Sequence, residues 1–125
     1  MQKRPNILIM LSDQQRPDTM GCYGQKLPVT PNIDRWAREG TRFANAFTPQ
    51  PVCGPARASL QTGLYATATG NFRNSCVPLT TDRTLGACFR HAGYRTGYIG
   101  KWHLSVTRTE PVPPEHRVGY DHWLG

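Results

Sequence analysis

Residues 5–12, PNILIMLS, form a continuous apolar run that passes directly into the polar DQQRPD of residues 13–18. A strand inside a parallel sheet is covered on both faces, so it reads as a solid hydrophobic stretch rather than an in-out alternation. The run therefore predicts a strand with Asp13 at its carboxyl end. Crossing a bilayer takes about 20 residues, so the run is no membrane span. It also mimics a secretory leader behind its basic start, but it is short, carries Pro5 and Asn6, and lacks a small-residue cleavage site. The chain as given is expected in the cytoplasm, the alternative being a periplasmic or secreted protein from which an export signal was removed.

Three helices are punctuated in the text. TPNIDRWAREG (30–40) offers Thr30 as N-cap, Pro31 in the first turn and Gly40 as stop, with Ile33, Trp36 and Ala37 on one face. A second begins near Pro55 and ends at Gly63, which leaves Cys53 just before a helix N-terminus, where unpaired N–H groups favour anions. The third lies in TDRTLGACFRHAG (81–93), where Leu85, Cys88, Phe89 and Ala92 follow the i, i+3, i+4, i+7 pattern and Gly93 is the stop. Cys88 and Trp36 are expected in the core.

TRFANAFT (41–48) alternates imperfectly and is read as a strand, and YRTGYIG (94–100) as another that ends in KWHLS. From about residue 105 the text is proline-rich loop. Strand, helix, strand, helix, strand predicts an α/β fold with a mostly parallel sheet flanked by helices, in which ligands collect at strand carboxyl ends. Asp13 follows one strand, and Lys101 with His103 follows another, so they are expected on one edge. The 125 residues are read as one domain or part of one.

Fifteen basic and eight acidic residues give a net charge of +7. The charges are scattered without a stripe or nucleic-acid motif, so a small anion is the expected partner rather than nucleic acid or a membrane. Cysteines 22, 53, 76 and 88 show neither C-x-x-C spacing nor a paired Cys/His set, which argues against a disulfide framework and a structural zinc.

PVCGPARASLQTG (51–63) is an unusual setting for a cysteine: a proline-flanked loop, a second proline two residues on, an arginine four residues on, then a helix. Taken alone, Cys53 reads as a packed small hydrophobe, Asp13 as an Asx-turn residue and Gln14 as a solvated side chain. Arg57 reads as the partner of a local carboxylate, and Lys101 with His103 as a solvated pair. Together these residues carry a resemblance. CGPAR (53–57) matches the C-x-P-x-R core of the type I sulfatases of the alkaline phosphatase superfamily. GYRTGYIGKWH (93–103) matches their second signature, and RPNILIMLSDQQ and TPNIDRWAREGTRFANAF are also similar, so the likeness covers residues 4–104. The chain resembles the N-terminal part of such an enzyme, with an alkaline-phosphatase-like fold.

The resemblance implies that Cys53 is converted by a formylglycine-generating, sulfatase-maturing enzyme to formylglycine, whose hydrate attacks the sulfur of a sulfate ester. It implies a divalent cation, most often Ca2+, held by Asp13, Gln14 and the group derived from Cys53. It further implies catalytic roles for Cys53, for Arg57 holding the diol, for Lys101 clamping a sulfate oxygen and for His103 moving its proton. Many members carry a second Asp at the position of Gln14; some sulfatases and phosphonate monoester hydrolases resemble this chain in having Gln there. Two other readings therefore stay open: a phosphodiesterase or phosphonate monoester hydrolase of the same superfamily, and a non-catalytic assembly module. The remaining metal ligands are expected downstream of residue 125, since Asp121-His122 comes too early and GYDHWLG resembles a structural loop. By itself the chain is expected to be inactive and to self-associate through an open sheet edge. Trp102 is expected to pack beneath the site, and His91, His116 and His122 are read as surface or core residues.

Overall fold

The structure, a computed structural model, describes residues 4–74, 79, 83–105 and 110–125. It divides into two compact units, residues 1–46 and 47–125.

In the first unit two single-turn 3-10 helices, Pro17–Thr19 and Gly21–Tyr23, precede α1, Pro31–Glu39. Thr30 holds the N-cap position, but its hydroxyl does not cap α1. It accepts from Gly21 N (3.0 Å) and donates to the Asp34 carboxylate (3.2 Å), while Asp34 Oδ1 accepts from Cys22 N (2.7 Å). The helix start thus ties down the preceding loop. Gly40 ends α1 with its N–H on Trp36 O (2.8 Å) and an extended φ of −122°.

Three expectations are corrected here. Residues 5–12 are not in a strand, and Leu8 is 83% exposed. A strand exists only by pairing, and the apolar run finds no paired neighbour among the described residues. Residues 41–48 likewise form no strand. Trp36 is half exposed rather than core, because α1 grips its own unit through the polar Asp34–Thr30 contacts and buries none of its residues.

The second unit contains α2 (Cys53–Thr62), α3 (Ala66–Thr69), α4 (Leu85–His91), a 3-10 turn at Pro114–His116, and two short strands. These are β1 (Gly97–Ile99) and β2 (His122–Leu124), paired in parallel with Gly97 opposite His122, Tyr98 opposite Trp123 and Ile99 opposite Leu124. β1 falls within the expected strand at 94–100, whereas β2 lies in the stretch expected to be loop. Gly63 ends α2 in the left-handed region at φ 69°, the conformation for which a glycine stop is suited.

Ala58, Leu79, Trp102, Leu104 and Val112 form the core, and Tyr98, Tyr120 and Trp123 pack against it. Tyr98 stacks on Trp123 at 5.0 Å and meets Trp102 edge-on at 5.0 Å, so β1, β2 and the segment after β1 share one aromatic cluster. α4 has Thr84 as its N-cap, with Oγ1 accepting from Ala87 N (3.2 Å) and donating to Val118 O (2.6 Å). Its buried face is a different one from that expected. Gly86 and Ala87 are buried and Cys88 is exposed. Tyr120 and Gly119 lie against the helix so closely that a Cβ on Gly86 would meet the Tyr120 ring at 2.9 Å, so this contact admits only the small side of α4.

Cys22, Cys53 and Cys88 are not in disulfides, and Cys76 lies outside the described residues. No helix among the described residues is long and apolar enough to cross a membrane.

Candidate active site

Cys53 is the first residue of α2 rather than the residue before it, and it is partly exposed. The helix end is also less open than expected. Ala56 N already bonds Val52 O (2.9 Å), Pro55 has no N–H, and Gly54 N donates to Asn74 Oδ1 (2.8 Å). Asn74 thus caps α2 from twenty residues downstream. No local pattern in the sequence marks it for that role, because the contact is made by chain reversal after α3.

Arg57 follows Cys53 by four residues, so the two share a face of α2. Its Nη1 donates to the backbone carbonyl of Lys101 at 2.6 Å and lies 3.5 Å from Tyr98 Oη. The Tyr98 hydroxyl donates to the same carbonyl at 2.5 Å. Arg57 is therefore held by a carbonyl and a phenol. Burial raises the Tyr98 phenol above its ordinary value of 10.0, opposed by the charge and hydrogen bond of Arg57. Tyr98 escapes sequence reasoning; the only available signal is an aromatic residue three positions before Lys101.

Lys101 is exposed, Trp102 is only 3% exposed and belongs to the core, and His103 is half-buried. The alternation follows from anchoring Trp102 in the aromatic cluster. His103 has φ +58°, and so does Gln14; with Val118 they are the non-glycine residues of positive φ among those described. Such strained backbone concentrates at functional positions, and two of these three residues are sequence-predicted site residues.

Asp13 and Gln14 occupy an exposed bend of the first unit, whereas Cys53, Arg57, Lys101 and His103 belong to the second. Within the second unit the fold joins α2 to the K-x-H segment through Arg57, Tyr98 and the Lys101 backbone. Among the described residues no group of three His, Cys, Asp or Glu side chains is arranged to hold a metal ion. Calcium takes roughly six to eight oxygen ligands, so Asp13 and Gln14 do not by themselves make a calcium cage. The Cys53 thiol is outside any disulfide, partly exposed, and one helical turn from the Arg57 guanidinium.

Comparison with known proteins bears on the family and the fold. The sulfatase YidJ of Escherichia coli (strain K12) is 46% identical over 121 residues, a match covering 94% of this chain and 24% of that protein. A solved protein in complex with its substrate, D-glucosamine-2-N,6-O-disulfate, superposes with a TM-score of 0.82 at 40% identity, covering 97% of this chain and 23% of that one. The phosphonate monoester hydrolase of Agrobacterium radiobacter superposes with a TM-score of 0.77 at 30% identity, covering 98% and 26%. The chain thus spans about a quarter of the length of the proteins it matches. Its fold is that of the N-terminal part of these alkaline-phosphatase-like α/β proteins, a small parallel sheet with helices. The sequence profile described as Sulfatase matches residues 5–125, and the chain belongs to the sulfatase family.

Proposed function

We propose that this chain supplies the nucleophile-bearing part of a sulfuric ester hydrolase whose substrate is a small sulfate ester, a sulfated sugar being the favoured class. The observation that carries the reading is the 2.6 Å bond from Arg57 to the Lys101 carbonyl, which brings the C-x-P-x-R and K-x-H signatures together. The sulfatase relatives support it, as does the structural neighbour whose substrate is a disulfated glucosamine.

Converted to formylglycine by a maturing enzyme, residue 53 would supply a hydrated aldehyde as the nucleophile toward sulfur. Arg57, pinned by Lys101 and Tyr98, keeps a guanidinium one turn from that group and offsets its negative charge. Lys101 carries its ammonium from an exposed position, where it can hold a sulfate oxygen, and His103 moves a proton at the nucleophile. Asp13 and Gln14 are proposed as two donors of a divalent-cation site, most fittingly calcium, which needs further oxygen ligands.

The test is made on the gene product that carries these residues, expressed with and without a formylglycine-generating enzyme. Conversion of Cys53 shows as a loss of about 18 Da in intact mass, thiol replaced by aldehyde. Aryl sulfate turnover is expected only in the converted protein and is lost in Cys53→Ala. Turnover that persists in unconverted Cys53→Ala protein refutes the reading. The phosphonate monoester hydrolase neighbour favours a second reading, and faster turnover of a phosphonate monoester than of the sulfate ester would select it.

A further inference from the structure

A groove of about 440 Å³ opens in the first unit between the loop of residues 21–28 and one face of α1. Asp34, Ala37 and Arg38 form the helical wall, at the i, i+3 and i+4 spacing of one face. Lys26 and Arg42 also line it, and Cys22, Leu27 and Pro28 give it apolar surface.

The walls are pre-formed. Cys22 N bonds Asp34 Oδ1 at 2.7 Å and Gly21 N bonds Thr30 Oγ1 at 3.0 Å. The loop lies so near α1 that a Cβ at Gly21 would sit 2.3 Å from Asp34 Oδ2. The Arg42 guanidinium rests 5.0 Å over the Tyr23 ring, and the Tyr23 hydroxyl donates to Phe43 O at 2.6 Å, which steadies that side.

The groove carries three cations, Lys26, Arg38 and Arg42, against one carboxylate, Asp34. Lys26, Arg38 and Arg42 are exposed, and among the described residues none makes an ion pair. The lining carboxylate, Asp34, has Oδ1 engaged by the Cys22 amide and also accepts from the Thr30 hydroxyl. Three cations against one carboxylate leave the groove with an excess of positive charge, which favours an anion. Ligand sites of roughly 300–1,000 Å³ combine such apolar lining with a few polar anchors, and this groove is of a size for a single sugar ring.

We infer that this groove binds a compact organic anion, a sulfate or carboxylate carried on a sugar-sized ring, through Lys26, Arg38 and Arg42. The inference uses none of the residues assigned to the proposed reaction. It also adds a function to the loop of residues 21–28, which that reaction leaves without one.

The experiment is an amide NMR titration of the 125-residue chain at low ionic strength with galactose 6-sulfate, inorganic sulfate and galactose as separate probes. The sulfated sugar is expected to give saturable shifts at residues 21–28 and 34–42. Inorganic sulfate is expected to bind about tenfold more weakly, and galactose to leave the spectrum unchanged. The Lys26→Gln/Arg38→Gln variant should weaken the sulfated sugar about tenfold, and added salt should weaken it in the unaltered chain. The inference is overturned by shifts confined to residues 53–57 and 101–103, by an equal response to galactose, or by no saturation. Equal binding of inorganic sulfate overturns the assignment to a ring-bearing anion. If the double variant loses its fold, the salt series on the unaltered chain decides, and salt-independent affinity overturns the proposal.

Discussion

Arg57 and Lys101 stand 44 residues apart and meet through a 2.6 Å hydrogen bond from a guanidinium nitrogen to a backbone carbonyl. The bond joins α2 to the segment that follows β1. Substituting Arg57→Met keeps the aliphatic stem and removes the donor. A hydrogen bond from a charged group is worth about 1.5–3 kcal/mol, and Arg57 is part exposed, so a loss of about 1–2 kcal/mol is expected in urea denaturation. Arg57→Lys should recover only part of it, since the shorter side chain does not place an ammonium where Nη1 meets both the Lys101 carbonyl and Tyr98. An unchanged midpoint in Arg57→Met would show that the contact does not hold the two segments together.

Asp121 fastens the approach to β2 onto Thr96, just before β1. Its Oδ2 accepts from the Thr96 backbone N–H at 3.0 Å, and its own N–H donates to Thr96 O at 3.1 Å. The Thr96 backbone bond, then the Thr96 hydroxyl, holds the carboxyl below its ordinary 3.8. A depressed folded value gives stability that is present above pH 3.8 and lost as pH falls through the lower folded value. Thermal unfolding followed from pH 6 downward should show this acid limb, and Asp121→Asn should flatten it. An acid limb identical in the two proteins would mean that other carboxylates account for it.

How much of this was readable in the chain divides along a physical line. Features set by neighbours within a turn or two were legible. Thr30-Pro31 and Gly40 bound α1, and Gly63 is the stop of α2. Features set by distant partners were not. The run at 5–12 has the composition of a strand but no paired neighbour among the described residues, and His122–Leu124 is a strand because Gly97–Ile99 lies beside it. α4 turns its small side inward because Gly119 and Tyr120 press there, which no helical periodicity in Leu85, Cys88 and Phe89 could reveal. At the candidate site the signatures named Cys53, Arg57, Lys101 and His103. Asn74 and Tyr98, which hold that segment in place, act through side-chain oxygens on α2 partners twenty and forty-one residues away.

Gly119 should tolerate no side chain. Its φ is +96°, and a Cβ there would lie 2.3 Å from Ala87 N and 2.4 Å from Ala87 Cα. Backbone atoms of a helix cannot yield as a flexible side chain can. The left-handed conformation costs a non-glycine residue about 1–2 kcal/mol, and overpacking adds about 1–3 kcal/mol. Gly119→Ala is therefore expected to lose at least about 2 kcal/mol, seen as a lower unfolding temperature. Gly24→Ala, with φ +101° but no atom within 4 Å, is the control for conformation without collision. Equal losses in the two would assign the whole effect at position 119 to φ.

Tyr98 and Tyr120 predict a second, alkaline boundary. Burial of both phenols raises them above 10.0, although the charge and hydrogen bond of Arg57 oppose the shift at Tyr98 and the Gln61 hydrogen bond opposes it at Tyr120. A raised folded value means that above pH 10.0 the unfolded chain releases protons that the folded chain retains, so stability is full below that pH and declines as pH rises through the folded values. Denaturation midpoints measured from pH 8 to 11 should fall at the upper end, and the phenolate absorbance of two tyrosines should lag behind the others. Tyr98→Phe separates two contributions of the ring. It preserves the stack on Trp123 and the edge contact with Trp102, but it loses the hydroxyl donor to Lys101 O. The variant is expected to be less stable by about 1 kcal/mol at pH 7, with a shallower alkaline decline. Should its midpoint match that of the unaltered chain at pH 7 while the decline persists, the hydroxyl would be neither the tie to Lys101 nor the titrating group.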